Sequence, residues 1–171
     1  LAAALRLQGK ASQGYAQTTV LAKAFPNWGA ALLEHAMAAA ALERHGEALD
    51  YAAQSERLGV LPGLYRIVGD QRWAMGDRVR AEQAYLRHLA SEAPEFLVQS
   101  AAQAMRAGDR LSAEQALRAQ LGFFPGDVLA MRLLAELLSA RDAYEESERW
   151  LRACLERAPS FALGRFGLAM V

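Results

Sequence analysis

The sequence predicts an all-α protein: a solenoid of antiparallel helix hairpins. Three observations carry this. A short phrase returns roughly every 30 to 37 residues, running from Gly or a stand-in to a proline: Gly9 to Pro26, Gly46 to Pro62, Gly76 to Pro94, Gly108 to Pro125 and Asp142 to Pro159. Between these marks, apolar residues fall at i, i+3, i+4 and i+7, the stripe of an amphipathic helix. Small residues recur at matched places (Gly69, Ala101 and Ala135, then Ala81, Ala113 and Ser147), where two helices can approach closely.

The clearest unit runs from Val128 to Pro159. Met131, Leu134, Ala135 and Leu138 form the stripe of its first helix. Arg141-Asp142-Ala143 is the turn, and Tyr144, Ser147, Leu151, Cys154 and Leu155 line the second helix. Pro159 ends it, because proline cannot continue a helix. The unit before it places Leu97, Ala101 and Ala104, then a Gly108-Asp109 turn, then Ala113 and Leu117. The next one upstream has Tyr65, Val68 and Gly69, then Gly76-Asp77, then Ala81, Tyr85 and Leu89. The least regular unit has Gly46-Glu47 as its expected turn and Tyr51 where a small residue is expected. The expected organisation is one solenoid over 1–171: a partial unit at 1–26, whole units at about 28–61, 62–93, 94–125 and 126–159, and a half unit at 160–171. Leu1, Ala2 and Leu5 match only the last turns of a helix and Phe161 to Val171 only the start of one. The expectation is therefore a fragment of a longer protein.

Composition narrows the function. Hydrophobic residues make up 53% of the 171, so a core is available. Alanine is roughly a fifth of the chain, which suits close-packed helices. Lys plus Arg and Asp plus Glu number 19 each. A nucleic-acid or anionic-membrane surface normally shows a basic excess, so neither partner is expected. The apolar run Ala36 to Leu42 is too short to span a bilayer. Cys154 is the single cysteine, which excludes an internal disulfide and fits a reducing, cytoplasmic setting.

The helix-turn-helix units with Leu134-Ala135, Leu138, Tyr144, Ser147, Leu151, Cys154 and Pro159 resemble the tetratricopeptide repeat over nearly the whole chain. The resemblance implies a right-handed superhelix and protein or peptide binding on the concave face, lined by the first helix of each pair. The groove positions it implies include Met37, Arg66, Asp70, Trp73, Gln99, Met105, Arg132 and Glu136. Arg66 with Asp70 and Arg132 with Glu136 are i, i+4 pairs in matched slots. Either they offer guanidinium forks to a partner's carboxylates or they are solvated salt bridges. A carboxylate clamp of the Lys/Asn kind is not expected, since Asn27 is the single asparagine. The runs Gly69 to Asp77, Ala84 to Leu89 and Met131 to Glu136 also look like the repeat region of bacterial tetratricopeptide-repeat sulfotransferases. That likeness would make the chain the recognition or dimerisation arm of an enzyme whose catalytic domain lies elsewhere. A third alternative is self-association through apolar surface at Phe161 and Leu168.

No catalytic set is expected. No phosphate loop, paired-carboxylate cleft or Ser-His-Asp order can be assembled. His35, His45 and His88 are scattered, with no ligand-like spacing, so neither a metal nor a cofactor is expected. Cys154 reads as a small buried hydrophobe.

Overall fold

The computed structural model describes residues 10–91 and 94–170. The helical turns expected at Leu1, Ala2 and Leu5 lie outside the described residues. Within them the chain forms ten helices and no strand. They are α1 (Ala11–Ala24), α2 (Gly29–Ala40), α3 (His45–Leu58), α4 (Leu64–Ala74) and α5 (Arg78–Leu89). Then follow α6 (Phe96–Arg106), α7 (Arg110–Phe123), α8 (Val128–Ser139), α9 (Tyr144–Arg157) and α10 (Ala162–Met170). None is long and apolar enough to cross a membrane. The chain divides into two compact units between Ala81 and Glu82, inside α5.

One local device turns the chain in each helix pair. At the ends of α2, α4, α6 and α8 a single residue takes the left-handed conformation: Glu43 (φ 58), Gly76 (φ 78), Gly108 (φ 76) and Asp142 (φ 61). The next amide reaches back five residues: Arg44 to Ala39, Asp77 to Arg72, Asp109 to Ala104 and Ala143 to Leu138, at 2.9–3.0 Å. The left-handed residue's own amide bonds the carbonyl three back, as Gly76 does to Trp73 at 3.0 Å. This is the Schellman stop, which satisfies carbonyls the helix leaves open. It also corrects the sequence reading of the second unit. Gly46 is not the turn residue; it lies inside α3, and Glu43 holds the left-handed position.

In unit 1, α2 packs against α1 and α3, and α4 against α3 and α2. Leu33, Ala36, Ala52, Leu64 and Ile67 form its core, with Met37, Tyr51, Tyr65 and Val68 packed at the edge. The small residue expected near Tyr51 is Ala48, fully buried one turn earlier, with Ala52 and Ser55 below it. Tyr51 instead meets the His35 ring edge-on at 4.3 Å.

In unit 2, α6 packs on α7 and α8, α8 on α7 and α9, and α9 on α10. Val98, Ala101, Leu117, Leu134, Leu138 and Leu151 supply the core. Ala113 and Ser147 are both at 0% exposure, as close helix approach requires. Tyr144 departs from the expected inward face. It is exposed at the start of α9 and donates its hydroxyl to Asp142 at 2.7 Å.

Candidate functional site

The candidate site lies in unit 2, between α8, α9 and α10. It is an open pocket of about 550 Å³. Arg132, Glu136 and Ser139 come from α8, Leu151 from α9, and Phe166 and Met170 from α10. Ligand pockets span roughly 300–1,000 Å³, so this one accepts one or two side chains. Its apolar part is open to water. Leu163, Phe166 and Met170 are 67%, 66% and 69% exposed.

The repeat explains this lining. Phe166 and Met170 lie 34 residues after Arg132 and Glu136, in the same slots of the next unit's first helix. The pocket therefore has a charged wall on α8 and an apolar wall on α10. Gly167 brings the α10 backbone close to α9: a Cβ there would meet Leu151 at 3.4 Å. Ser147 donates to the Ala135 carbonyl at 2.8 Å and locks α9 to α8 behind the pocket.

The eight residues expected to line a groove divide among four places. Met37, Arg66 and Asp70 meet in unit 1. Arg66 is buried, at 2% exposure, with Nη1 at 3.4 Å from Asp70 and Nη2 at 4.0 Å from the Met37 sulfur. A guanidinium held this way is a packing element rather than a fork open to a partner. Trp73, on α4, is half-buried under the Arg78 guanidinium, 3.5 Å above its ring. Arg132 and Glu136 pair at 3.4 Å and line the pocket, with side chains 29% and 59% exposed. Gln99 is exposed and Met105 half-buried on α6; neither lines this pocket. The matched slots thus hold unlike pairs: the Arg66 guanidinium is internal and the Arg132 guanidinium borders the open pocket.

Sequence spacing hid the role of the histidines. Each one joins helices. His35, fully buried, has Nδ1 at 2.9 Å from the Thr18 hydroxyl and Nε2 at 3.2 Å from Glu47. Tyr15 donates to the same Glu47 oxygen at 2.7 Å, and Arg44 donates to the Tyr15 hydroxyl at 2.8 Å. The Tyr15 hydrogen bond holds the Glu47 carboxyl below its ordinary range; burial opposes this, and His35 and Arg44 reinforce it. His45 Nδ1 lies 2.8 Å from Gln71 Oε1. His88 Nε2 lies 2.9 Å from Asp127, both buried.

A recurring pattern lies behind part of this. The last turns of α3, α5, α7 and α9 each carry a buried polar group: Ser55, His88, Gln120 and Cys154. Ser55 donates to the Gly29 carbonyl at 2.9 Å, and Cys154 points its thiol to the Val128 carbonyl at 3.5 Å. Gln120 and His88 both reach Asp127, at 2.7 and 2.9 Å. A polar residue returning on an otherwise apolar face was the available signal. Burial pushes the Cys154 thiol up to about 12, which leaves it protonated and inert, as its sequence context implied.

No family model matches the chain. No curated protein matches it either. Solved structures do. The APC/C hetero-tetramer Cut9–Hcn1 aligns with a TM-score of 0.50 at 17% identity, over 98% of this chain and 34% of that one. The TPR domain of P58(IPK) gives 0.49 at 16% identity, over 99% of this chain and 52% of that one. MamA gives 0.48 at 16% identity, over 92% and 94%. The helix pairs and their turns, with the Cut9–Hcn1 alignment, define the fold class: an all-α solenoid of the tetratricopeptide-repeat type.

Proposed function

We propose that this chain is a protein-recognition scaffold, and that unit 2 receives an apolar side chain of a partner protein in the pocket between α8 and α10. One observation carries the reading. Phe166 and Met170, two-thirds exposed, stand beside an open pocket in slots that hold Arg132 and Glu136 one unit earlier. Large exposed apolar side chains around a polar-rimmed cavity mark an interaction surface, and aromatic and Met side chains are common anchors there. The partner segment presents one large apolar side chain flanked by polar residues that meet Arg132 and Glu136. The scaffold contributes pre-formed shape and no chemistry of its own.

Selection of a displayed peptide library on the immobilised chain tests this. Enriched peptides should share an apolar anchor and lose binding to Phe166→Glu, while helicity by circular dichroism stays unchanged. Peptides that bind Phe166→Glu equally well would move the site elsewhere, and an absence of enrichment would reject the pocket as a peptide receptor.

A second reading makes these repeats the recognition arm of a sulfotransferase. The runs Gly69 to Asp77, Ala84 to Leu89 and Met131 to Glu136 favour it. Sequencing the gene beyond codon 171 tests it directly: a downstream strand followed by a Gly- and Ser-containing phosphate loop supports the reading, and a gene without one rejects it.

A further inference from the structure

We propose that His88, Glu95 and Asp127 in unit 2 form a binding site for a divalent first-row transition cation. The three side chains come from three segments: the last turn of α5, the residue before α6 and the residue before α8. Their ligand atoms lie within 4.8 Å of one another. Both carboxylates face the same imidazole nitrogen. Asp127 Oδ1 is 2.9 Å from His88 Nε2, and Glu95 Oε2 is 4.0 Å from it.

The two carboxylates occupy equivalent places in successive repeats, yet behave differently. Asp127 caps α8, accepting from the amides of Leu129 and Ala130 at 3.0 Å each. Glu95 stands at the capping position of α6, but its side chain makes no capping bond. It turns toward His88 instead. Asp127 is at 0% exposure and the His88 side chain at 2%, while Glu95 keeps 15%.

The donor set defines the ligand class. One imidazole and two carboxylates, without thiolate, suit Zn²⁺, Co²⁺, Mn²⁺ or Fe²⁺. A cation at roughly 2.0–2.2 Å from each donor holds its donors about 3 to 3.5 Å apart. The observed 2.9 and 4.0 Å bracket that range. The ion takes the place of the proton between His88 and Asp127, and that proton leaves to solvent. Gln120 donates to Asp127 Oδ2 at 2.7 Å, an outer bond of the kind that orients a metal-bound carboxylate.

The test uses tag-free, chelator-stripped protein. Titration with ZnCl₂ and CoCl₂ should show one ion per chain, a raised melting temperature and a shift of the His88 Nε2 resonance. Glu95→Gln should keep native circular dichroism and weaken Zn²⁺ by about tenfold or more. Native protein that takes up no ion at millimolar metal would show a hydrogen-bonded clasp only and overturn the proposal. So would Glu95→Gln, natively folded, binding as the parent does. Should Glu95→Gln not fold, the His88 resonance in the parent protein decides: an unmoved Nε2 under saturating Zn²⁺ rejects the site.

Discussion

Replacing Asp127 by Ala should be the most costly single polar change in unit 2. The carboxylate is fully buried and accepts four hydrogen bonds: from His88, Gln120 and the amides of Leu129 and Ala130. Losing the cap of α8 costs about 1 kcal/mol. Stranding each buried donor, on His88 and on Gln120, costs about 1–3 kcal/mol. Glu95, 4.0 Å from His88, cannot replace the first of these bonds without moving. The total is about 4 kcal/mol, a large part of the roughly 5–15 kcal/mol that holds a domain folded. The assay is urea unfolding in metal-free buffer, followed by circular dichroism. With a slope of about 2 kcal/mol per molar, the midpoint should fall by roughly 2 M. Asp109→Ala is the control. Asp109 caps α7 through the Ser112 amide at 3.1 Å but stands in solvent and strands no buried donor. If Asp127→Ala costs no more than Asp109→Ala, the buried network does not stabilise unit 2 and the reasoning fails.

Three further outcomes follow from the structure. Glu43→Gly should stabilise by about 0.5–1 kcal/mol, because Glu43 is a side-chain residue at φ 58, whereas Gly108→Ala, at φ 76, should destabilise by about 1 kcal/mol; thermal melts read both signs. Arg66→Glu should cost about 3 kcal/mol or more, by burying a carboxylate beside Asp70, while Arg132→Glu should leave unfolding within about 0.5 kcal/mol of the parent; equal effects in denaturant would contradict the different burial of the two. The folded-state value of Glu47 is depressed, so its contribution is present above the ordinary carboxylate range and lost as pH falls through it. The gap in melting temperature between the parent and Glu47→Gln should therefore narrow below about pH 4, and a gap independent of pH would mean the Tyr15–Glu47–His35 network carries no linkage.

The fold was legible because its main signals are local. Proline positions, 3.6-residue stripes and small residues such as Ala113 and Ser147 act within one hairpin, and each is readable from a window of some thirty residues. The misreading at Gly46 has a physical cause. The turn requires a left-handed residue, and glycine is the usual supplier. Where Glu43 takes that conformation instead, the nearest glycine attracts the turn in a sequence reading. The candidate site was legible only in part. Arg132 and Glu136 were found by slot, but the same rule chose Arg66, whose burial depends on Met37 in the preceding helix pair. Phe166 and Met170 were missed because Phe161 to Val171 was read only as the start of a helix, not for its groove positions. The His88 cluster was invisible because its members lie 7 and 32 residues apart, an irregular spacing that no ligand motif covers.

The buried clasps at the feet of α3 and α9 also set how these units come apart. Ser55 and Gly29 are 26 positions apart along the chain, as are Cys154 and Val128. Bonds that close over such short loops cost little chain entropy and form early, so the α2–α3 and α8–α9 hairpins are each close to being a cooperative block. Amide exchange within a unit should accordingly report stepwise fraying, hairpin after hairpin, rather than one concerted melting. A solenoid of this kind yields to local strain by opening a single joint while its neighbours keep their shape.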